Sequence, residues 1–140
     1  MVKVTDSAIV GCDARAVVDA AREAVDDSLR TVVEYDIDTF RPLYVDEATR
    51  STYRSEARMY DHFGRIHAFV HVDFTERDLF QKDLLPPAGD VRAIVTEMDG
   101  MTLVRILRDD CGLFLAVDPD VRASALVDAV RPEFSPETRV

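Results

Sequence analysis

The 140-residue sequence predicts an α+β domain: a five-stranded, mainly antiparallel sheet with helices on both faces. Amphipathic helical stretches alternate with short apolar runs rich in β-branched residues. The strand-like runs come first as a pair and then as a triplet, which gives the order α-ββ-α-βββ-α. Neither face of the last hairpin is polar, so both sides of the sheet must be covered.

The first part of the chain contains a helix and a hairpin. Asp13 can cap a helix over 13–28, in which apolar residues recur every three or four positions. Strands are expected at 30–36 and 40–46. Pro42 has no N–H to donate to a ladder, so the second strand is an edge strand or begins irregularly.

A second helical stretch is expected over 50–72. Its apolar stripe is broad, so we predict that this helix has two apolar contacts rather than one. Thr75 can cap a short helical segment over 76–84, and the prolines that follow Leu85 end it.

Three strand-like runs occupy the second half of the chain, at 91–98, 101–108 and 111–118. Asp99 and Gly100 tolerate positive φ and predict a tight hairpin between the first two runs. Asp109 and Asp110 predict a second turn. A last helix is expected over 120–130.

The faces of the last hairpin indicate how much cover the sheet needs. One predicted face carries Val104, Ile106, Leu113, Leu115 and Val117. The other carries Met101, Leu103, Leu107, Phe114 and Ala116, interrupted by Arg105. The cover can come from helices of the same chain or in part from a second copy.

The charge of the chain limits the classes of partner that it can bind and indicates the salt concentration in which it works. A net charge of -10 disfavours nucleic acid and anionic membranes as partners. Lys occurs only at positions 3 and 82, Asp outnumbers Glu by more than two to one, and Trp is absent. This bias is typical of cytoplasmic proteins that work in molar salt, where repulsion between surface charges is screened. An ordinary acidic cytosolic protein is the alternative.

We expect one soluble, cytoplasmic domain over 13–131. It is preceded by an N-terminal segment, 1–12, of open role, and followed by a loose tail, 132–140. The N-terminal residues lack a basic stretch followed by an apolar core, so we expect no signal peptide. Neither do we expect a membrane-spanning helix, since no apolar run approaches the necessary length.

The histidines suggest one candidate for metal chemistry. His67 and His71 lie one helical turn apart, with Asp73 nearby and His62 preceding them. A metal-dependent enzyme built on His67 and His71 is therefore one hypothesis, although Ala68 stands where zinc proteases carry a general base. Structural or surface histidines, or a pH-sensing cluster, are the alternatives.

Other signs of catalysis are weak. Cys111 follows Asp109 and Asp110, which would raise the pKa of its thiol and make it a poor nucleophile. Five glycines form no phosphate-binding loop. We therefore name no catalytic residue and no cofactor, and lean against an enzyme.

The helix over 50–72 is the predicted dimer element. Its expected interface residues are Tyr60, Phe63, Ile66, Val70, Arg54 and Arg58. Arg50 and Arg65 extend the basic face, which can pair with acids of the same chain, of a second copy or of a partner.

Two resemblances add to these observations. The stretches "VEYDIDTFRPLYVDEATR", "HVDFTERDLFQKDLLP" and "GLFLAVDPD" resemble blocks in small acidic proteins of halophilic archaea. The order of elements resembles roadblock/LC7 domains more closely than PAS- or GAF-like sensors, which place more strands before the long helix. The roadblock resemblance implies dimerisation through the central helix and the adjacent strand, and a partner that is a small GTPase or another signalling protein.

We therefore predict a non-enzymatic regulatory or adaptor module that is homodimeric and works through protein–protein contacts in a high-salt cytoplasm. The alternative is a small-ligand sensor domain with an apolar pocket between sheet and helix. The metal-dependent enzyme is the third hypothesis. Similarity of fold does not by itself establish any of them.

Overall fold

The computed structural model describes residues 3–134 and confirms the predicted α+β class and antiparallel sheet. The strands are β1 (Leu29–Asp36), β2 (Phe40–Val45), β3 (Ala93–Met98), β4 (Met101–Arg108) and β5 (Cys111–Val117). The helices are α1 (Ala14–Val25), α2 (Glu47–Arg50), α3 (Glu56–His67), α4 (Val70–Asp78) and α5 (Ala123–Phe134). Asp13 caps α1 as predicted, through a hydrogen bond that its side chain accepts from the Ala16 N–H.

The strands lie in the order β2-β1-β5-β4-β3, and every pair is antiparallel. β2 is therefore an edge strand, as Pro42 predicts. The register with β1 shifts between Val32 and Val33, and Pro42 lies opposite Val33 at this irregularity. The opposite edge is β3.

Both predicted hairpin turns form, but they use different backbone conformations. Asp109 adopts a φ of 49°, as a tight turn of this kind requires. Asp99 and Gly100 also join two strands, yet neither residue has positive φ, so the expected reason for that turn is wrong.

The first face of the sheet is covered by α1 and α5, which pack against each other, except at the β3 edge, where Val95 stays exposed. Val17 and Val18 of α1 and Leu126 of α5 are completely buried there, against Val32 and Leu115 at the centre of the sheet. A buried apolar side chain of this size contributes about 1.5–3 kcal/mol, so the larger cluster on this face supplies most of the stabilisation from apolar burial.

The second face is covered by α3 and α4, and only in part. A smaller cluster forms where Val70 packs with Tyr35 and Leu107, flanked by Phe74 and Phe114. Helices thus lie on both faces, as predicted, but they cover the second face less completely than the first.

The predicted helix over 50–72 is wrong as a single element. α3 ends at His67 and α4 begins at Val70, because the Phe69 N–H bonds to the Ile66 carbonyl and the backbone turns there. Because of this bend, Val70 of α4 packs on Tyr35, while α3 lies over the β2 side of the sheet. No Gly or Pro marks positions 68–69, so the sequence did not indicate it.

Two further boundaries are corrected. Thr75 caps no helix, since it lies inside α4, which continues into a π-helical turn over Leu79–Leu84. α5 begins at Ala123 and continues through Pro132 to Phe134, beyond the predicted end. The rest of the expected tail, 135–140, lies outside the described residues.

A buried carboxylate holds the N-terminal segment against the sheet. Glu34 on β1 is completely buried, and its two oxygens accept hydrogen bonds from the Ser7 hydroxyl (2.6 Å) and from the N–H groups of Ala8, Ile9 and Val10 (2.7, 3.1 and 3.0 Å). These four donors satisfy a charge that would be costly to bury alone. The segment that the sequence left without a role therefore closes the first face.

Arg108 joins the two ends of the described chain. Its guanidinium donates hydrogen bonds to the carbonyl oxygens of Val10 and Phe134, and it lies 4.7 Å from the centroid of the Phe134 ring. One side chain of β4 therefore connects the N-terminal segment to the end of α5.

We expect Glu34→Ala to lower the free energy of unfolding by about 3 kcal/mol, because it removes the acceptor shared by three N–H groups of the N-terminal segment. Glu34→Gln, which keeps one acceptor oxygen, should lose less. Chemical denaturation followed by circular dichroism measures both, with Glu23→Ala on the exposed side of α1 as the control. Equal stability of Glu34→Ala and the control would contradict the anchoring role.

Candidate functional site

Large apolar side chains stand exposed along the central helices and the open sheet edge. We call the following six residues the helix–edge surface: Tyr60, Ile66, Phe69, Val72, Val95 and Met98. Five of them lie on the side of the second face, whereas Val95, on the edge strand β3, points to the first face like its paired residue Val104. Phe69, at the bend between α3 and α4, is 70% exposed. Apolar surface of this extent on a folded domain marks a site of interaction.

The two edges of the sheet are unequal. At the β2 edge, the Thr5 N–H bonds to the Leu43 carbonyl and Pro42 removes a donor. At the β3 edge, residues 95–98 are exposed, and among the described residues no further strand pairs with β3. An apolar, unpaired edge strand is suited to pairing with another chain.

The structure separates the predicted interface residues into three groups. Tyr60 and Ile66 are exposed, 45% and 41%, and belong to the helix–edge surface. Phe63 is half-buried against Tyr53. Val70 is 9% exposed and packs in the second-face cluster, so it is not free to contact another molecule. The prediction of a single helix placed Val70 on the side that would face a second copy, whereas the bend between α3 and α4 turns its side chain inward.

The predicted basic face is present on α3 and just before it. Arg54, Arg58 and Arg65 are exposed, whereas Arg50 forms an ion pair with Glu56. In a chain of net charge -10, these arginines offer a local positive surface beside the exposed apolar residues.

A cavity of about 670 Å³ lies between the second face of the sheet and helices α2–α4. The sheet contributes Thr31, Val33, Tyr35, Phe40, Thr96, Met98, Met101, Leu103, Arg105, Phe114 and Ala116. The helical side contributes Thr49, Tyr53, His62, Phe63, Ile66, His67, Phe69, Val70, Val72 and Asp73. The cavity occupies the part of the second face that α3 and α4 leave uncovered.

Arg105, which interrupts the apolar face in the sequence, has its partner on α4. Its Nε lies 3.2 Å from the Asp73 carboxylate, and both side chains are largely buried. It also donates to the Thr96 hydroxyl at 2.8 Å. The ion pair ties α4 to the sheet and leaves this wall of the cavity without net charge.

Tyr35 lies in the floor of the same region. Among the described residues, its hydroxyl is the one buried side-chain polar atom without a hydrogen-bond partner. The ring passes so close to Gly112 that a Cβ there would lie 2.7 Å from the hydroxyl, so only glycine fits. Burial raises the pKa of Tyr35, and the Asp73 charge adds to the rise.

The histidines do not converge. His67 Nε2 donates to the Asp36 carbonyl (2.8 Å), His62 Nδ1 bonds to the Tyr53 hydroxyl (2.6 Å), and exposed His71 contacts the Ala68 carbonyl. Within residues 3–134, no three His, Cys, Asp or Glu side chains are placed to hold a metal ion. The metal site on His67, His71 and Asp73 stays a sequence prediction, and Asp73 is engaged by Arg105.

Cys111 is half-buried, and its thiol donates to the Arg108 carbonyl at 3.3 Å. Burial is the main cause that raises its pKa, Asp109 and Asp110 add smaller contributions, and Arg108 opposes them. A thiol of this kind is a weak nucleophile at neutral pH, chiefly because it is buried.

This fold is that of a roadblock/LC7-like domain. The chain is similar to a Roadblock/LC7 domain from Streptomyces avermitilis, with a TM-score of 0.56, 15% identity, and coverage of 82% of this chain and 88% of that one. It is also similar to gliding protein-mglB from Thermus thermophilus, with a TM-score of 0.51, 12% identity, and coverage of 96% and 93%. At these identities the similarity shows the fold alone.

The chain belongs to the DUF7522 family, a domain of unknown function, whose profile matches residues 15–135. A comparison with curated proteins found no match. Within the described residues, no helix has the length and apolar character needed to cross a membrane.

We expect Tyr35→Phe to raise the free energy of unfolding by about 1 kcal/mol, because it removes a buried hydroxyl that has no partner. Since the folded-state pKa of Tyr35 is raised, the free energy of unfolding of the wild type is independent of this group below pH 10.0 and falls as pH rises further, because the unfolded tyrosine ionises first. Tyr35→Phe should lack this part of the alkaline decline. Denaturation at neutral and alkaline pH measures both effects. Exposed Tyr60→Phe is the control, and a destabilised Tyr35→Phe would show that the hydroxyl is bonded.

Proposed function

We propose that this protein is a non-enzymatic regulatory or adaptor module that works as a homodimer through protein–protein contacts. The helix–edge surface carries the proposal. It combines an unpaired edge strand with exposed apolar residues of the central helices, which are the elements expected to meet a second copy. Such a surface is stable in water when another protein buries it.

The asymmetry of the sheet edges supports pairing through β3. A two-fold axis beside β3 would place the same strand of two copies side by side, because a symmetric dimer uses one patch on both subunits. The β2 edge is less suited, since Pro42 and the N-terminal segment occupy it. Exposed Met98 would then be buried together with the helices above it, and Val95 would be buried at the same edge on the first face.

The arginines suit an interface within an acidic protein. Two copies of net charge -10 repel each other, and the repulsion is smallest where positive groups face the partner. Arg54 and Arg58 lie close in sequence to Tyr60 and Ile66, on α3 or just before it. The proposed interface therefore keeps these four of the six predicted residues and omits buried Val70 and half-buried Phe63.

The proposed partner of the dimer is a small GTPase or another signalling protein, as the roadblock resemblance implies. A regulatory module binds a protein partner of that kind through an exposed surface rather than through a catalytic site. The proposal fits a chain whose exposed features are apolar and charged surfaces.

We further propose that the protein works in the high-salt cytoplasm of a halophilic archaeon. The support is compositional: an Asp-rich surface with two lysines in 140 residues.

The salt proposal predicts that the thermal midpoint rises as KCl increases from about 0.1 M to about 2 M, because screening relieves repulsion among the acids. Differential scanning fluorimetry in KCl measures it. Sucrose, which stabilises folded proteins by exclusion without screening charge, is the control, and the midpoint should respond more strongly to KCl. A midpoint that falls or stays level in KCl would contradict the proposal.

The dimer proposal predicts that Tyr60→Asp and Val95→Asp each shift the protein to a monomer, since the first puts a charge into the helix contact and the second puts one beside the paired β3 edges. Multi-angle light scattering across a dilution series measures the mass. Ala125→Asp on α5, at the other face of the sheet, should remain dimeric. A wild-type protein that is monomeric at high concentration would overturn the proposal.

The ligand-sensing alternative has one observation in its favour, the cavity between the second face and α3. Its volume and lining suit a small molecule. The two functions are compatible, because a regulatory dimer can respond to a ligand.

A further inference from the structure

The cavity has the features of a binding site in its own right. Its volume of about 670 Å³ lies within the range of small-molecule sites, about 300–1,000 Å³. The walls are mainly aromatic and aliphatic, with a few polar groups among them. We propose that the cavity binds a small, neutral, mostly apolar molecule, and that the second copy of the proposed dimer closes its mouth.

The charge of the walls selects a neutral ligand. Arg105 would attract an anion, but its guanidinium is taken by Asp73 and Thr96. Asp73 would attract a cation, but it is taken by Arg105 at 3.2 Å. Because these two charges compensate each other, a charged ligand would lose its hydration here without meeting an uncompensated opposite charge, which disfavours it against a neutral one.

The helical wall can orient a ligand through hydrogen bonds. His62 and His67 both line the cavity, and each has one ring nitrogen engaged, by the Tyr53 hydroxyl and by the Asp36 carbonyl. The second nitrogen of each ring makes no hydrogen bond within the described residues. The ligand class is therefore an apolar body with a hydroxyl, carbonyl or amide group.

The mouth of the cavity coincides with the proposed dimer contact. Ile66, Phe69, Val72 and Met98 line the cavity and also belong to the helix–edge surface. A ligand held by one chain alone would keep part of its apolar surface in water at this mouth. A second copy lying across it would bury that surface, so ligand binding and dimerisation should strengthen each other.

This coupling rests on the proposed homodimer, whereas the site itself does not. Two sets of residues separate them. Tyr60 and Val95 belong to the helix–edge surface but not to the cavity, and Ala116 belongs to the cavity floor but not to that surface. The dimer and the site can therefore be altered independently.

The test uses N-phenyl-1-naphthylamine, a neutral, apolar fluorophore with one amine hydrogen, titrated into the full chain in about 2 M KCl. We expect saturable binding of one probe per chain. Ala116→Leu fills the floor from β5 and should weaken probe binding at least about tenfold. Ala125→Leu on α5 is the matched control and should bind as the wild type does.

A second variant covers the case in which Ala116→Leu does not fold. The chain contains no Trp, so Leu103→Trp puts a single indole at the cavity wall on β4. Near-complete energy transfer from this indole to the bound probe is expected, because the two would be in contact, whereas a probe bound at the far side of the domain would receive only partial transfer. Saturable binding without such transfer would overturn the site.

The coupling is measured with the monomeric variants Tyr60→Asp and Val95→Asp. We expect them to bind the probe at least about fivefold more weakly than the dimer, and the probe to lower the dimer dissociation constant of the wild type. Equal or tighter binding by the monomers would overturn the closure of the mouth. Absence of saturable binding to a wild-type dimer would overturn the site alone, whereas a monomeric wild type that binds would overturn the dimer alone.

Discussion

A sheet with two apolar faces must be covered on both, and this constraint governs the rest of the structure. The central strands β1 and β5 present Val32 and Leu115 to one face and Tyr35 and Phe114 to the other. Helices α1 and α5, with the N-terminal segment, cover the first face except at the β3 edge. Helices α3 and α4 satisfy only part of the second, which leaves both a cavity and an exposed apolar surface. The proposed activities depend on this incomplete cover.

Buried polar groups attach the helices and the N-terminal segment to the sheet. Glu34 holds the N-terminal segment, Arg108 joins that segment to the end of α5, and Asp73 pairs with Arg105 to hold α4 on the sheet. Each is a charged group with its partners satisfied, and each links elements far apart in the chain. Removal of one partner leaves a buried group unpaired, so these contacts specify position more strongly than apolar packing does.

The open second face connects the two proposed functions. The residues at its mouth, Phe69 and Met98 among them, would be buried by a second copy and would also enclose a ligand. A module of this kind could report a ligand by changing how firmly it dimerises, without any chemical reaction. The free energy available for that response comes from the apolar area at the mouth, which belongs to both contacts.

Local sequence patterns were sufficient to predict the strands, their turns, the edge position of β2 and helix α1. The alternation of apolar residues, the missing N–H of Pro42 and the capping side chain of Asp13 each act within a few residues. They also indicated that both faces of the last hairpin needed cover, and they placed Tyr60 and Ile66 on the exposed surface. The bend at Phe69, the buried Val70 and the pairing of Arg105 were decided only in the tertiary structure. The burial of Val70 against Tyr35 and the pairing of Arg105 with Asp73 each join residues more than 30 positions apart, and helical periodicity alone cannot tell which side of a helix will meet the sheet.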